Sequence, residues 1–113
     1  MTYTFKSGIT KKGVPYVAYY NSDDCEESLK VGVLEDNNDY LAFRVKDSTN
    51  DNSVLVVATR GRDGAINLAL QKDGNNLADT AWNNICRTIS DVNEEIMILK
   101  IDNLDSNTIV EEL

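Results

Sequence analysis

The amino-acid sequence predicts an α+β domain. It reads as a curved, mostly antiparallel β-meander of about six strands, one amphipathic helix over residues 76–92 on its apolar face, and a further strand over 95–101. Three observations carry that reading. Apolar and polar residues alternate through most of the first seventy positions, the period of a strand with one buried face. The period changes to helical spacing from Leu77 to Val92. A nearly continuous apolar run then follows at Ile96–Ile101. A chain of 113 residues has the size of one domain, and 1–113 is read as such.

Each element has its own signal. Tyr3 and Phe5 alternate with Thr2, Thr4 and Lys6. Residues 14–20 are rich in β-formers, with Pro15 marking a strand start or an edge. Leu29, Val31 and Val33 alternate with Lys30 and Gly32, and Leu41, Phe43 and Val45 with Ala42, Arg44 and Lys46. Residues 53–58 are apolar on both faces, and Ile66, Leu68 and Leu70 alternate with Ala65, Asn67 and Ala69. Turns fall between these runs at Asn37-Asn38-Asp39, Asn50-Asp51-Asn52 and Asn75-Asn76, because Asn and Asp bond their own main chain and tolerate left-handed backbone.

The strand register can be derived from the faces. A turn at 47–52 that pairs Lys46 with Ser53 sets Phe43 opposite Val56, Val45 opposite Val54 and Leu41 opposite Ala58. A turn at Gly61–Asp63 that pairs Arg60 with Gly64 sets Val56 opposite Leu68 and Val54 opposite Leu70. All these apolar side chains then share one face, and a slip of one residue would turn a whole set to water.

The helix is expected from Leu77, Ala78, Ala81, Trp82, Ile85, Cys86, Ile89 and Val92, which form one stripe at helical spacing. Asn75 or Asn76 would cap it, Asp79 suits its first turn, and Trp82 would anchor it in the core. Ile96–Ile101 suits a strand buried on both faces, with a helical continuation as the alternative. Residues 102–113 suit an acidic tail or a short edge strand.

Charge is distributed in blocks. The net charge is −8, and histidine is absent, which removes Ser-His, Cys-His and His-ligated zinc chemistry. Residues 1–20 carry +3, 21–39 carry −6, 40–90 carry +1 and 91–113 carry −6. An acidic chain of this kind is repelled by nucleic acid and by anionic membranes, so its expected partner is a protein with a basic surface. No apolar run approaches the length of a membrane span, and no secretory signal is evident at the start. A cytoplasmic location is expected, with Cys25 and Cys86 as reduced thiols.

Catalytic motifs are missing. Neither phosphate-binding glycine loop is present, nor is there a C-x-x-C pair. Asp47-x-Thr49-x-Asp51-x-Ser53 begins like a calcium loop, but Asn52 stands where the turn glycine belongs and Ala58 where the bidentate acid belongs. The expectation is therefore a protein without enzymatic activity, cofactor or metal.

Three groups of residues are candidates for binding. The first is the acidic set Asp23, Asp24, Glu26, Glu27, Glu35, Asp36 and Asp39, suited to a basic partner. The second is Tyr16, Tyr19 and Tyr20, which lie in the +3 segment with Lys11 and Lys12. Tyrosines favour protein interfaces, and beside lysines they could stack on unpaired bases. The third is the turn holding Arg60 and Arg62, which could grip a phosphate or carboxylate.

Residues 61–68, with Trp82-Asn83-Asn84-Ile85 and Ile89-Ser90-Asp91, resemble part of the single-stranded-DNA-binding transcriptional coactivators of the positive cofactor four family. The shared feature is a passage from sheet to helix, and the resemblance implies single-strand binding. The chain departs from that family in a longer spacing from glycine turn to tryptophan, an apolar run after the helix, and its acidity.

The leading expectation is a small acidic binding protein acting through protein–protein contacts, of the kind by which a phage or mobile element inhibits a host nuclease or defence complex. In that case it would act in the host cytoplasm. Single-stranded nucleic-acid binding through the tyrosine and lysine face is one alternative. Binding of a small phosphate-bearing ligand at Arg60 and Arg62 is another.

Overall fold

The computed structural model describes residues 1–22, 26–31, 40–47, 52–60, 66–74, 80, 82–83, 86–93 and 96–113. Those residues form nine strands: β1 (Tyr3–Ile9), β2 (Pro15–Asn21), β3 (Ser28–Val31), β4 (Tyr40–Asp47), β5 (Asn52–Arg60), β6 (Ile66–Lys72), β7 (Cys86–Asn93), β8 (Ile96–Ile101) and β9 (Ile109–Glu112). They make two antiparallel sheets, ordered β3-β2-β1-β8-β7 and β6-β5-β4-β9.

The fold class is therefore corrected from α+β to nearly all β. The predicted helix over 76–92 is not formed: Cys86–Asn93 is strand β7, paired with β8. Only Thr80, Trp82 and Asn83 among the described residues are helical. The physical reason lies in β8. A six-residue apolar strand paired with β1 on one side needs hydrogen-bond partners on its other side. The segment before it is rich in residues that favour strands, with Thr88, Ile89 and Val92 all β-branched. Only two residues separate β7 from β8, the length of a tight hairpin. A stripe at helical spacing is a weaker constraint than an unpaired buried edge. The loss of this helix also removes the structural basis of the coactivator resemblance.

The β4–β5 register is the predicted one, with Lys46 opposite Ser53, Phe43 opposite Val56 and Val45 opposite Val54. The β5–β6 register differs from expectation. Arg60 stands opposite Ile66, so Ala58 faces Leu68 and Val56 faces Leu70. The offset is two residues, which leaves every side chain on its expected face.

The two sheets pack face to face over a shared core. Phe5, Val17, Leu99 and Ile101 come from one sheet, and Phe43, Val45, Val54, Val56, Ala58, Ile66 and Leu68 from the other. At its centre the Phe43 ring lies 5.5 Å from Phe5 and 5.2 Å from Tyr19, and Phe5 stacks on Tyr19 at 5.4 Å. These are contact distances for aromatic pairs, so the rings tie the sheets together. Polar bonds close one side: the buried Ser7 hydroxyl donates to the Ile66 carbonyl at 2.9 Å, and the Leu68 N–H reaches the Met97 sulfur. Trp82 is partly buried against the core, with Lys72 Nζ 5.8 Å from its ring.

The outer face of the second sheet carries a polar tie. Asp73 accepts from Arg44 Nε at 2.7 Å and from Ser53 Oγ at 2.6 Å. The Ser53 hydroxyl, ahead of the Arg44 guanidinium, holds the Asp73 carboxyl below its ordinary value, although partial burial works the other way. Arg44 also lies 3.8 Å from Glu111 of β9. Among the described residues, no helix is long and apolar enough to cross a membrane.

Candidate functional site

A cleft opens at the end of the first sheet where β1, β2 and β3 come together. The hairpin from β1 to β2 sets it up. Gly13 N–H bonds the Thr10 carbonyl at 2.8 Å, closing a turn, and Gly13 adopts a φ of 81°, which glycine takes without a Cβ clash. That turn fixes Tyr3 opposite Asn21 and Phe5 opposite Tyr19. The chain then returns as β3 and brings Ser28 opposite Tyr19.

The cleft encloses about 240 Å³ and is lined by Tyr3, Tyr19, Tyr20, Asn21, Glu26, Glu27 and Ser28. Tyr19 has a double role. Its ring packs against Phe5 and Phe43, so one wall of the cleft is fixed by the core itself. Asn21 is braced by its amide, which reaches the Met1 sulfur. Glu27, just before β3, forms an ion pair with Lys6 of β1, on the far side of β2. The bond to Glu27 raises the Lys6 pKa above 10.5, against a smaller opposing cost of desolvation.

Two of the sequence-predicted groups meet here. Tyr19 and Tyr20 share the cleft with Glu26 and Glu27. Tyr16 does not join them. It lies further along β2, opposite Gly8, where a Cβ would come within 2.8 Å of the Tyr16 hydroxyl. Tyr19 and Tyr20 point to opposite faces of β2, so the three tyrosines do not make one stacking row. Lys11 and Lys12 are exposed at the β1–β2 turn, beyond the Tyr16 end of the hairpin. Arg60 ends β5 opposite Ile66. Asp23, Asp24, Glu35, Asp36, Asp39 and Arg62 lie outside the described residues, as does Cys25.

Three cleft residues were not singled out by sequence reasoning: Tyr3, Asn21 and Ser28. Tyr3 was legible as a strand residue, but its place beside Asn21 depends on the β1–β2 turn. Chemically, the site is mostly polar and is lined by residues that carry tyrosine and serine hydroxyls, one amide and two carboxylates. Carboxylates pair with cations directly. A divalent metal centre has no donor set among the described residues, where no three metal-ligating side chains come together.

No family model, curated protein or solved structure matches the chain.

Proposed function

We propose that this chain is a non-catalytic binding protein that receives a cationic side chain of a basic protein partner in the cleft of Tyr3, Tyr19, Glu26 and Glu27. The observation that carries the reading is the convergence of tyrosines and glutamates around one cleft. Its size supports a side chain as ligand. Drug-sized ligands occupy sites of roughly 300–1,000 Å³, and 240 Å³ lies below that range. The charge of the whole chain favours the same class of partner. At −8 it attracts basic surfaces and repels phosphates. In sequence, Asp23 and Asp24 stand between Ser22 and Glu26, so this stretch of the chain is acidic. A basic nucleic-acid-binding enzyme is the partner class that such a surface suits, since carboxylates can stand where phosphates would bind. Inhibition of such an enzyme, as by a phage-encoded protein, is the biological role that fits.

The test is titration with an arginine-rich peptide, followed by calorimetry, against a glutamate-rich peptide as control. Binding is expected to weaken as salt rises, and to fall at least tenfold in the Glu26→Gln/Glu27→Gln double variant. Unchanged affinity in that variant would sink the proposal. A low-salt gel shift with single-stranded oligonucleotide is expected to show no complex, and a clear shift would favour the nucleic-acid reading instead.

A further inference from the structure

The outer face of β6-β5-β4-β9 combines balanced charge with exposed apolar side chains. Alternation along β4 puts Tyr40, Ala42, Arg44 and Lys46 on this face, with Leu55, Val57 and Thr59 from β5 beside them. The β9 register adds Ile109 and Glu111, and the Leu113 N–H bond to the Ala42 carbonyl at 2.8 Å carries Leu113 onto the same face. Among the described residues, four large hydrophobic side chains are exposed: Ile9, Tyr40, Ile109 and Leu113. Three of those four lie here, with Tyr40 at 68 %, Leu113 at 57 % and Ile109 at 50 % exposure.

The charges on this face balance. Its described charged side chains are Arg44, Lys46, Glu111 and Asp73, two of each sign, and Asp73 is placed there by its bonds to Arg44 and Ser53. The chain as a whole carries −8. That net charge opposes the meeting of two copies. This face is a surface of low charge and high apolar content on which they can meet, and its mixed signs can be matched by a two-fold rotation. Four strands about 4.8 Å apart, each contributing about seven residues at about 3.3 Å, span roughly 400 Å². That is a small interface, in the range of weak and concentration-dependent association.

We infer that the chain forms a two-fold homodimer through the outer face of β6-β5-β4-β9, with Tyr40 of β4 and Ile109 and Leu113 on the β9 side as its exposed apolar contacts, either side of the Arg44–Glu111 pair. The cleft lies at the end of the other sheet and is left open, so the dimer presents two copies of it and can engage a repetitive basic partner with increased avidity.

Sedimentation equilibrium across the micromolar to sub-millimolar range tests this. The mass is expected to rise from one copy towards two. Salt gives a diagnostic sign: added salt should strengthen the dimer by screening the repulsion between two acidic chains, whereas it weakens binding at the cleft. Tyr40→Glu/Leu113→Glu, checked for folding by circular dichroism, should restore the monomer, and Ile109→Glu should do so independently. Glu26→Gln should leave the association unchanged. A monomeric wild type at sub-millimolar concentration would overturn the inference and assign the face to another partner. A dimer indifferent to both sets of face variants, or one that salt dissociates, would overturn it too.

Discussion

The sheet β6-β5-β4-β9 draws three of its strands from one continuous stretch, residues 40–72, folded as successive hairpins. The sheet β3-β2-β1-β8-β7 is assembled from separated parts, because β1 pairs with β8 and sets Tyr3 opposite Ile101. The same alternating pattern underlies both. In the first case the turns dictate which residues meet. In the second, the meeting of β1 and β8 is decided by the shared core, where Phe5 and its partner Leu99 join Phe43 and Val56 in one cluster. The surface features divide along the same line. The sheet built at long range holds the charged cleft, and the sheet built locally presents a balanced, apolar outer face.

The largest effect is expected at the ring cluster that joins the sheets. Phe43 is fully buried and touches both Phe5 and Tyr19 across the interface. Phe43→Ala should cost about 3–5 kcal/mol in chemical denaturation. Near- and far-ultraviolet signals should still coincide in one transition. Two separated transitions would show that the sheets are stable independently.

A smaller effect is expected from the tie confined to the locally built sheet. Asp73→Asn removes the anionic acceptor shared by Ser53 and Arg44 and should cost about 1 kcal/mol at neutral pH. Because folding lowers the Asp73 pKa from 3.8, its contribution is present above that value and disappears as pH falls through the folded value. Acid unfolding of Asp73→Asn should therefore be shallower than that of the wild type below about pH 4. Equal slopes would remove Asp73 from the account of acid stability.

The smallest effect is expected on the long-range sheet. Lys6 and Glu27 are partly exposed, with side chains at 28 % and 39 %, so solvent screens their pair. Lys6→Met should change stability by only a few tenths of a kcal/mol. The Lys6 pKa is raised above 10.5, so the benefit is present below that value and lost as pH rises through the folded one. The stability curves of wild type and variant should converge at strongly alkaline pH. A loss comparable to that of Asp73→Asn would mean that Glu27 positions more of the cleft than its ion pair.

Much of the strand content was legible because alternation reports which residues share a face. The offset between β4 and β5 was legible, with Lys46 opposite Ser53. Between β5 and β6 the side-chain faces were right and the pairing was two residues out, since a period of two fixes parity and leaves the loop length open. Cys86–Asn93 was misread because its spacing fits a helix in isolation, while its pairing with β8 can be decided only in three dimensions. The cleft was legible as two separate groups, tyrosines and glutamates. Their convergence depends on β2 returning through β3, and no local pattern states it.

The pairing of β1 with β8 has a consequence for how the molecule comes into being. On a ribosome, β1, β2 and β3 emerge long before β8, so one edge of β1 stays open until residues near 100 are made. Such distant pairing gives a high contact order, which slows folding and prolongs exposure of an unpaired strand. The locally built hairpins can form first and offer Phe43 as a template on which the other sheet closes. The late arrival of β8 is then the step at which synthesis, chaperone capture and aggregation compete.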